Sequence, residues 1–124
     1  MQIQTRAVSG HKIAILEGGG VLIADPQGAL DMMMTVKYET GGVDALVIKK
    51  EEIVEDFFKL STRLAGEVLQ KFINYNTKLA IVGDFSGYTS KSLADFIRES
   101  NRGKDIFFVA TEDEAIRMLE KAFA

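Results

Sequence analysis

The chain has 124 residues, of which 47% are hydrophobic and 27% charged, and its formal net charge at neutral pH is -3. This length fits one domain with its own core and is short for two, so we expect residues 1–124 to form a single domain. The negative net charge argues against electrostatic binding to nucleic acid or anionic lipid. The absence of cysteine excludes disulfides, thiolate catalysis and cysteine-ligated zinc. Because neither a charged leader nor a membrane-spanning apolar run is present, we expect a cytoplasmic protein with no membrane and no nucleic-acid partner.

The first predicted elements are two strands that form a hairpin. Residues 2–8 alternate polar and apolar side chains, Ser9-Gly10 supply a turn, and residues 12–16 form the second strand. Gly18-Gly19-Gly20 lack the spacing of a phosphate-binding loop and therefore predict a flexible turn or a bulge. Residues 21–24 predict a short strand or an extended lead-in.

The first helix is predicted to start at Asp25-Pro26, with Asp25 as its N-cap, and to end at Gly41-Gly42. Four apolar side chains at helical spacing should face the sheet: Ala29, Leu30, Met33 and Met34. The run Met32 to Met34 suits either core packing or an adaptable binding surface. Core packing is the interpretation we favour.

A strand over residues 43–48 precedes a long predicted helix from Phe57 to about Asn76. The apolar stripe of this helix is wider than a surface helix needs, so it should contact the sheet and also a neighbouring helix or a second copy of the chain. Gly66 lies inside the predicted helix, where glycine costs about 1 kcal/mol relative to alanine, and close packing would explain it.

The most informative stretch is the buried strand at Leu79 to Val82 with the polar loop behind it. Gly83 ends the apolar run, and the loop then leads to Ser90, a good N-cap for a helix through about Asn101. Open α/β sheets bind ligands and partners at the carboxyl ends of their strands, so a site is expected here.

The last predicted elements are a strand over residues 106–110 and a final helix. Thr111 and Glu114 form a capping box, in which each side chain accepts from the other's exposed main-chain N–H. Because helices and strands alternate after the hairpin, we expect an α/β fold with a four- to five-stranded mixed sheet and about four helices.

Several local patterns resemble a family of small bacterial proteins known as a domain of unknown function. The matching segments are residues 57–58, 62–67, 69–72, 83–86, 90–93, 96–97 and 99–101. The order of elements, with the closing strand and capped helix at residues 106–115, is similar to the STAS fold of anti-sigma-factor antagonists.

The STAS-like resemblance implies a non-catalytic domain that binds a protein partner and is switched by phosphorylation of a serine or threonine. Ser61 or Thr62 occupies the matching region, although the Asp-Ser-Ser-Gly type of motif is missing. A phosphate there would be stabilised by the helix N-terminus and by Arg63. In the simpler alternative, Ser61 only caps the helix.

The residues also suggest an enzyme or a small-ligand site centred on Asp84. An aspartate after a buried strand can act as a base or bind Mg²⁺, with Ser86, Tyr88 and Lys91 as neighbours, or it can simply brace its own loop. No second carboxylate motif, no nucleophile beside a base and no metal-ligand spacing accompany it, and His11 is the sole histidine. We therefore expect no cofactor and no metal.

A homodimer is a further alternative, because the wide apolar stripe with Phe57, Phe58 and Tyr75 would suit a subunit interface. The sequence as a whole favours a non-catalytic binding or regulatory domain that engages a protein partner or a second copy of itself. The residues predicted to form its binding site are Arg63, Asp84, Ser86, Tyr88, Ser90 and Lys91.

Overall fold

The computed structural model describes residues 1–124, which form five strands and four α-helices. The strands are β1 (Gln2–Val8), β2 (His11–Glu17), β3 (Ala45–Lys49), β4 (Lys78–Val82) and β5 (Ile106–Val109). The helices are α1 (Pro26–Thr40), α2 (Leu64–Asn74), α3 (Lys91–Arg102) and α4 (Glu112–Phe123). None of these helices has the length and apolar character that crossing a membrane requires.

The strands form one mixed sheet in the order β1-β2-β3-β4-β5. β1 pairs antiparallel with β2 as a hairpin, and every later pair is parallel. β4 lies between β3 and β5, so it is an interior strand, which explains its uninterrupted apolar sequence. The predicted α/β fold, the mixed sheet, the hairpin and the four helices are confirmed.

The two faces of the sheet are covered unequally. Side chains from α1, α2 and α3 pack on one face, where Met33, Phe72 and Leu93 are buried. On the other face, Ala115 and Leu119 of α4 pack against strand residues. The connecting loops lie at the two ends of the strands, where the strands begin and where they end.

Three predicted helix starts are confirmed by their caps. Asp25 accepts a hydrogen bond from Gly28 N at 2.6 Å, and Ser90 Oγ accepts from Leu93 N at 3.2 Å. Thr111 Oγ1 accepts from Glu114 N at 3.1 Å. The return bond of the predicted capping box, from Thr111 N to the Glu114 side chain, is not formed. One side of the box is enough to start α4.

The predicted long helix from Phe57 to about Asn76 is wrong over residues 57–63. Residues 50–62 form three short 3-10 turns, and α2 begins only at Leu64. The main chain here is held by a neighbouring segment, because Leu22 N donates to Glu52 O at 2.7 Å and Val54 N donates to Ile23 O at 2.9 Å. These bonds fix residues 52–54 against residues 22–23. Farther along, the Thr62 hydroxyl bonds back to Asp56 O, and Arg63 has a φ of 65°, which interrupts the α-helical path just before Leu64. Residues 21–24 are accordingly an extended lead-in with one parallel bridge between Ile23 and Ile53.

Two expectations about helix packing need correction. Met34 is 37% exposed, whereas Met32 is buried beside Met33, so the methionine run contributes two of its three members to the core. At Gly66, an added β-carbon would meet no atom within 4 Å outside its own helix. Close packing therefore does not explain this glycine, and nothing else in the structure does.

Candidate functional site

The loops that follow β2, β3, β4 and β5 all lie on the side of the sheet where these strands have their carboxyl ends, because the four strands run parallel. We call this the carboxyl edge. It includes Gly18 to Gly20, the 3-10 turn Lys50–Glu52, the loop over residues 83–90, and the start of α4. The predicted loop after β4 is thus placed beside charged residues that follow β3.

Asp84 is exposed, and its carboxylate is engaged within its own loop. Oδ1 accepts a hydrogen bond from Ser86 N at 2.9 Å and another from Ser86 Oγ at 2.6 Å. The Ser86 hydroxyl and then the Ser86 main-chain N–H hold the pKa of Asp84 below its ordinary value. Asp84 is therefore ionised at neutral pH and fixes the shape of the loop.

Tyr88 connects this loop to the segment after β3. Its hydroxyl donates to the Glu55 carboxylate, at 2.8 Å from Oε1, and its ring stacks on Phe58 with a centroid separation of 5.4 Å. Lys50 Nζ lies 5.0 Å from the centre of the Tyr88 ring and 5.7 Å from that of Phe58, within the range of a cation–π contact. We refer to Lys50, Glu55, Phe58 and Tyr88 as the Tyr88 cluster.

The ionisation of the cluster follows from these contacts. Interaction with the Tyr88 side chain raises the pKa of Lys50. Burial, followed by the hydrogen bond to Glu55, raises the pKa of Tyr88 above its ordinary value. At neutral pH Lys50 is therefore charged and the Tyr88 phenol is neutral.

Glycines allow the chain to pack closely at this edge. A β-carbon on Gly83 would lie 2.5 Å from Lys50 Cβ, so the lysine stem occupies the space that a larger residue would fill. Gly18 is equally restricted, because its β-carbon would lie 2.7 Å from Glu52 Oε2, and Gly18 N donates to that buried carboxylate. Gly18 to Gly20 thus form a turn that is packed against Glu52 at its first residue.

The remaining predicted residues in the loop have local roles. Ser90 is the N-cap of α3. Lys91 is a surface residue whose Nζ lies 3.1 Å from Asp95 Oδ2, and its side chain is 89% exposed. These two residues border the carboxyl edge but form no hydrogen bond or ion pair with Asp84.

Arg63 and its neighbours form a separate group. Arg63 has a left-handed backbone, with φ of 65°, and its side chain is exposed and forms no ion pair. It does not contact Asp84. The one hydroxyl proton of Thr62 is shared between Asp56 O and Lys59 O, each 2.8 Å from Oγ1, and Oγ1 accepts from Leu64 N at 3.3 Å. The N-cap of α2 is Arg63, which provides no side-chain cap, and the Thr62 hydroxyl just before it bonds to Leu64 N. The expectation that Ser61 caps the helix is therefore wrong, and the exposed Ser61 hydroxyl forms no hydrogen bond.

Two of the three aromatic residues suggested for a homodimer interface are core residues. Phe57 is 1% exposed and Phe58 is 3% exposed, whereas Tyr75 is 46% exposed. The two phenylalanines therefore pack inside the chain's own core and offer little surface to a second copy.

Five surface cavities lie away from Asp84. They have volumes between 340 and 470 Å³, and none of them is lined by any residue of the loop over residues 83–90. No group of three histidine, aspartate or glutamate side chains is placed to hold a metal ion. Asp84 therefore lines none of these cavities, although one of them lies beside Gly19 and Gly20 at the carboxyl edge.

Sequence reasoning missed Lys50 and Glu55. Lys50 follows the end of β3 directly, so the rule that strand ends meet at one edge could have placed it beside Gly83. Glu55 gave no comparable signal, because it was assigned to the approach of a long helix and its position depends on the 3-10 turns.

The matching family model is described as a domain of unknown function, DUF4180, and it covers residues 8–119. The chain belongs to the DUF4180 family. This confirms the resemblance to a family of unknown function, and the covered range includes every element of the site described above. Comparisons with curated proteins and with solved structures gave no match. The similarity to the STAS fold stays a prediction.

Proposed function

We propose that this DUF4180 chain is a non-catalytic binding domain that engages a protein partner through its carboxyl edge. The contact surface would consist of Lys50, Glu55, Asp84, Ser86 and Tyr88, which we call the carboxyl-edge surface. The proposal concerns a surface because these residues stand on exposed loops and line no large cavity.

The arrangement of Asp84 supports this role most strongly. A general base works best when its pKa lies near the operating pH. Asp84 accepts two hydrogen bonds from Ser86 at Oδ1, and they lower its pKa, which makes it a weaker base. A carboxylate used in this way keeps a loop in one shape, which a recognition surface requires. This favours the binding domain over the enzyme.

Tyr88 has the properties of an interface anchor. Tyrosine supplies a large, partly apolar surface with few rotatable bonds, and it is enriched at protein interfaces. Its ring is held by Phe58 on one side and by Lys50 Nζ at 5.0 Å, and its hydroxyl is held by Glu55. Because these contacts exist before any partner arrives, binding would cost little side-chain ordering.

Ser61 is the better candidate for regulation by phosphorylation. Its hydroxyl is exposed and unbonded, whereas the Thr62 hydroxyl is occupied by three hydrogen bonds. Arg63, exposed and without an ion pair, follows in the chain and could pair with a phosphate. A partner-binding domain switched by a serine also agrees with the predicted STAS-like architecture.

The test is partner capture with matched surface variants. Tyr88→Ala and Glu55→Lys alter the carboxyl-edge surface, while Tyr38→Ala and Glu39→Lys make the same changes at exposed positions of α1. The tagged chain and the four variants are incubated with lysate of the native organism, and retained proteins are quantified by mass spectrometry. Thermal melts confirm that each variant is folded.

We expect at least one protein to be retained by the unaltered chain and by both α1 variants and to be depleted about tenfold by both carboxyl-edge variants, as for truncation of an interface anchor. The proposal is wrong if the retained proteins are the same for all five chains, or if the α1 variants lose them equally.

Phosphorylation is tested separately. The chain and its Ser61→Ala variant are treated with lysate and ATP, and phosphate is mapped by mass spectrometry. Phosphate on Ser61 supports the switch. A chain that stays unmodified at Ser61 under these conditions, or that is modified on Thr62 instead, contradicts it.

A further inference from the structure

A cavity of about 340 Å³ lies at the opposite edge of the sheet from Asp84, where β5 begins. It is formed by the end of α3, the turn into β5 and the last turns of α4. Its lining residues are Asn101, Arg102, Gly103, Lys104, Phe107, Met118, Lys121, Ala122 and Ala124. The volume falls in the range of small-molecule sites, and no residue is shared with the carboxyl-edge surface.

The floor of this cavity is apolar. Phe107 is 2% exposed and belongs to the core on the α4 face of the sheet. Met118 and Ala122 of α4 are half-buried and pack against the same core. A ligand that enters the cavity would therefore place an apolar body against these three side chains.

The rim of the cavity carries cations without partners. Arg102, Lys104 and Lys121 are exposed, and none of them forms an ion pair. The lining side chains include no carboxylate, and the three cations would outweigh even a terminal carboxylate on Ala124. Such a concentration of positive charge stands out in a chain whose net charge is -3.

The wall that carries two of these cations is fixed in place. Asn101 Nδ2 donates to Phe108 O at 3.1 Å, and Phe108 N donates to Asn101 Oδ1 at 2.7 Å. On the other side of the turn, Lys78 Nζ donates to Lys104 O at 2.6 Å and pairs with Asp105 at 3.2 Å. The nearby Asp105 carboxylate is thus already neutralised by Lys78, and the cavity exists without a ligand to order it.

We propose that this cavity binds a small amphipathic anion, a molecule with an aromatic or short aliphatic body and one carboxylate or similar acidic group. The apolar body would lie on Phe107 and Met118, and the acidic group would pair with Lys104 and Lys121 at the rim. Apolar contact supplies binding free energy, and the charges select for an anion.

Two of the cations also have a purely structural explanation. Arg102 and Lys121 stand in the last turns of α3 and α4, where positive charge interacts favourably with the helix dipole. A change in stability on mutating them would therefore fit either role. The test must measure ligand binding and its dependence on ligand charge.

The probes are anilinonaphthalene sulfonate, a fluorescent amphipathic anion, and N-phenylnaphthylamine, its uncharged counterpart. Fluorescence titrations use the full chain at neutral pH, and melts confirm that each variant is folded. The double variant Lys104→Gln/Lys121→Gln removes two charges from the rim. Its matched control, Lys59→Gln/Arg117→Gln, removes two charges from exposed positions that do not line the cavity. A third variant, Ala122→Leu, fills part of the cavity.

We expect saturable binding of the anion at one site per chain. The rim double variant should weaken it by about tenfold, the sum for two exposed ion pairs, whereas the control double variant should change it less than twofold. Ala122→Leu should weaken binding of both probes. N-phenylnaphthylamine should bind more weakly than the anion and should be insensitive to the rim variant.

Three results would overturn the proposal. The first is the absence of saturable binding of the anion to the folded chain. The second is equal weakening by the rim and control double variants, which would mean that net charge and not the cavity matters. The third is equal affinity for the charged and uncharged probes, which would show an apolar patch without selection for an anion.

Discussion

The two edges of the sheet carry similar kinds of side chain but use them differently. At the carboxyl edge, charged and polar groups are engaged with one another: Glu17 with Lys49 at 3.1 Å, Tyr88 with Glu55, and Asp84 with Ser86. At the opposite edge, Lys78 pairs with Asp105, but Arg102, Lys104 and Lys121 line a cavity and form no ion pair.

The difference separates two kinds of recognition. Groups that satisfy each other form a rigid surface, which suits contact with another protein and offers little to a small molecule. Unpaired charges above an apolar floor gain a partner only when a ligand arrives. The position of a loop at the carboxyl edge therefore indicates where a site is favoured. Whether its side chains are paired with one another indicates whether that site suits a protein surface or a small molecule.

The largest expected effect is at Phe58, whose ring supports the Tyr88 cluster from inside the core. Phe58 is 3% exposed and lies 5.0 Å from the Phe57 ring and 5.4 Å from that of Tyr88. Phe58→Ala should lower the free energy of unfolding by about 3–5 kcal/mol, through lost burial and the cavity left behind. Urea denaturation measures this change.

Tyr38→Ala is the control for that experiment, because Tyr38 is 89% exposed and its loss should change stability by less than about 0.5 kcal/mol. If the two variants lose similar stability, Phe58 does not hold the carboxyl edge together in the way described.

Gly83→Ala tests the close contact between the ends of β3 and β4. The new β-carbon would lie 2.5 Å from Lys50 Cβ, an atom near the main chain that cannot easily move aside. Overpacking of this kind should cost about 1–3 kcal/mol. Gly20→Ala, whose β-carbon would meet no atom within 4 Å, should cost much less in the same denaturation experiment. Equal costs would place the two strand ends farther apart than the structure has them.

Asn101→Ala tests the opposite edge. The variant removes both hydrogen bonds to the Phe108 main chain, at 3.1 and 2.7 Å, and should cost about 1–2 kcal/mol of stability. It should also weaken binding of the anionic probe, because the turn that carries Arg102 and Lys104 is no longer fixed. An unchanged affinity in a destabilised but folded variant would show that the turn needs no such support.

The smallest expected effect is the pH dependence from Asp84. Because Ser86 lowers the pKa of Asp84 in the folded chain, the unfolded chain binds its proton more readily. The resulting stabilisation is complete above the ordinary aspartate pKa of 3.8 and is lost as the pH falls through the lowered value. Ser86→Ala should therefore raise the pKa of Asp84 towards 3.8, which NMR titration of the carboxyl carbon would detect. An Asp84 pKa that is the same in the variant and the unaltered chain would contradict the assigned hydrogen bonds.

The sequence predicted the strands and the helix starts well because their signals are local. The side chains of Asp25, Ser90 and Thr111 each bond to a main-chain N–H three residues along the chain, and the apolar run of β4 reflects burial on both faces. The prediction of a long helix failed through contacts that its apolar pattern does not reveal. Residues 52–54 pair with Leu22 and Ile23 through their main chains, and the Thr62 hydroxyl bonds back to Asp56 O.

The candidate sites show the same limit. Sequence placed Asp84, Ser86 and Tyr88 together because one loop carries them, but it could not pair Tyr88 with Glu55 across 33 residues. The cavity beside Phe107 was missed entirely, since its cations come from α3, the turn after it and α4, and are spaced irregularly along the chain.

The carboxyl-edge surface is tested most directly by photo-crosslinking in the native cell. A benzophenone amino acid is placed at Thr89, an exposed neighbour of Tyr88 outside the contact surface, and in a second strain at Asp31 on the exposed side of α1. We predict that irradiation links the Thr89 variant to a specific protein, which mass spectrometry then identifies, and leaves the Asp31 variant unlinked. Equal crosslinking from both positions, or none from Thr89, would contradict the proposal that this edge meets a protein partner.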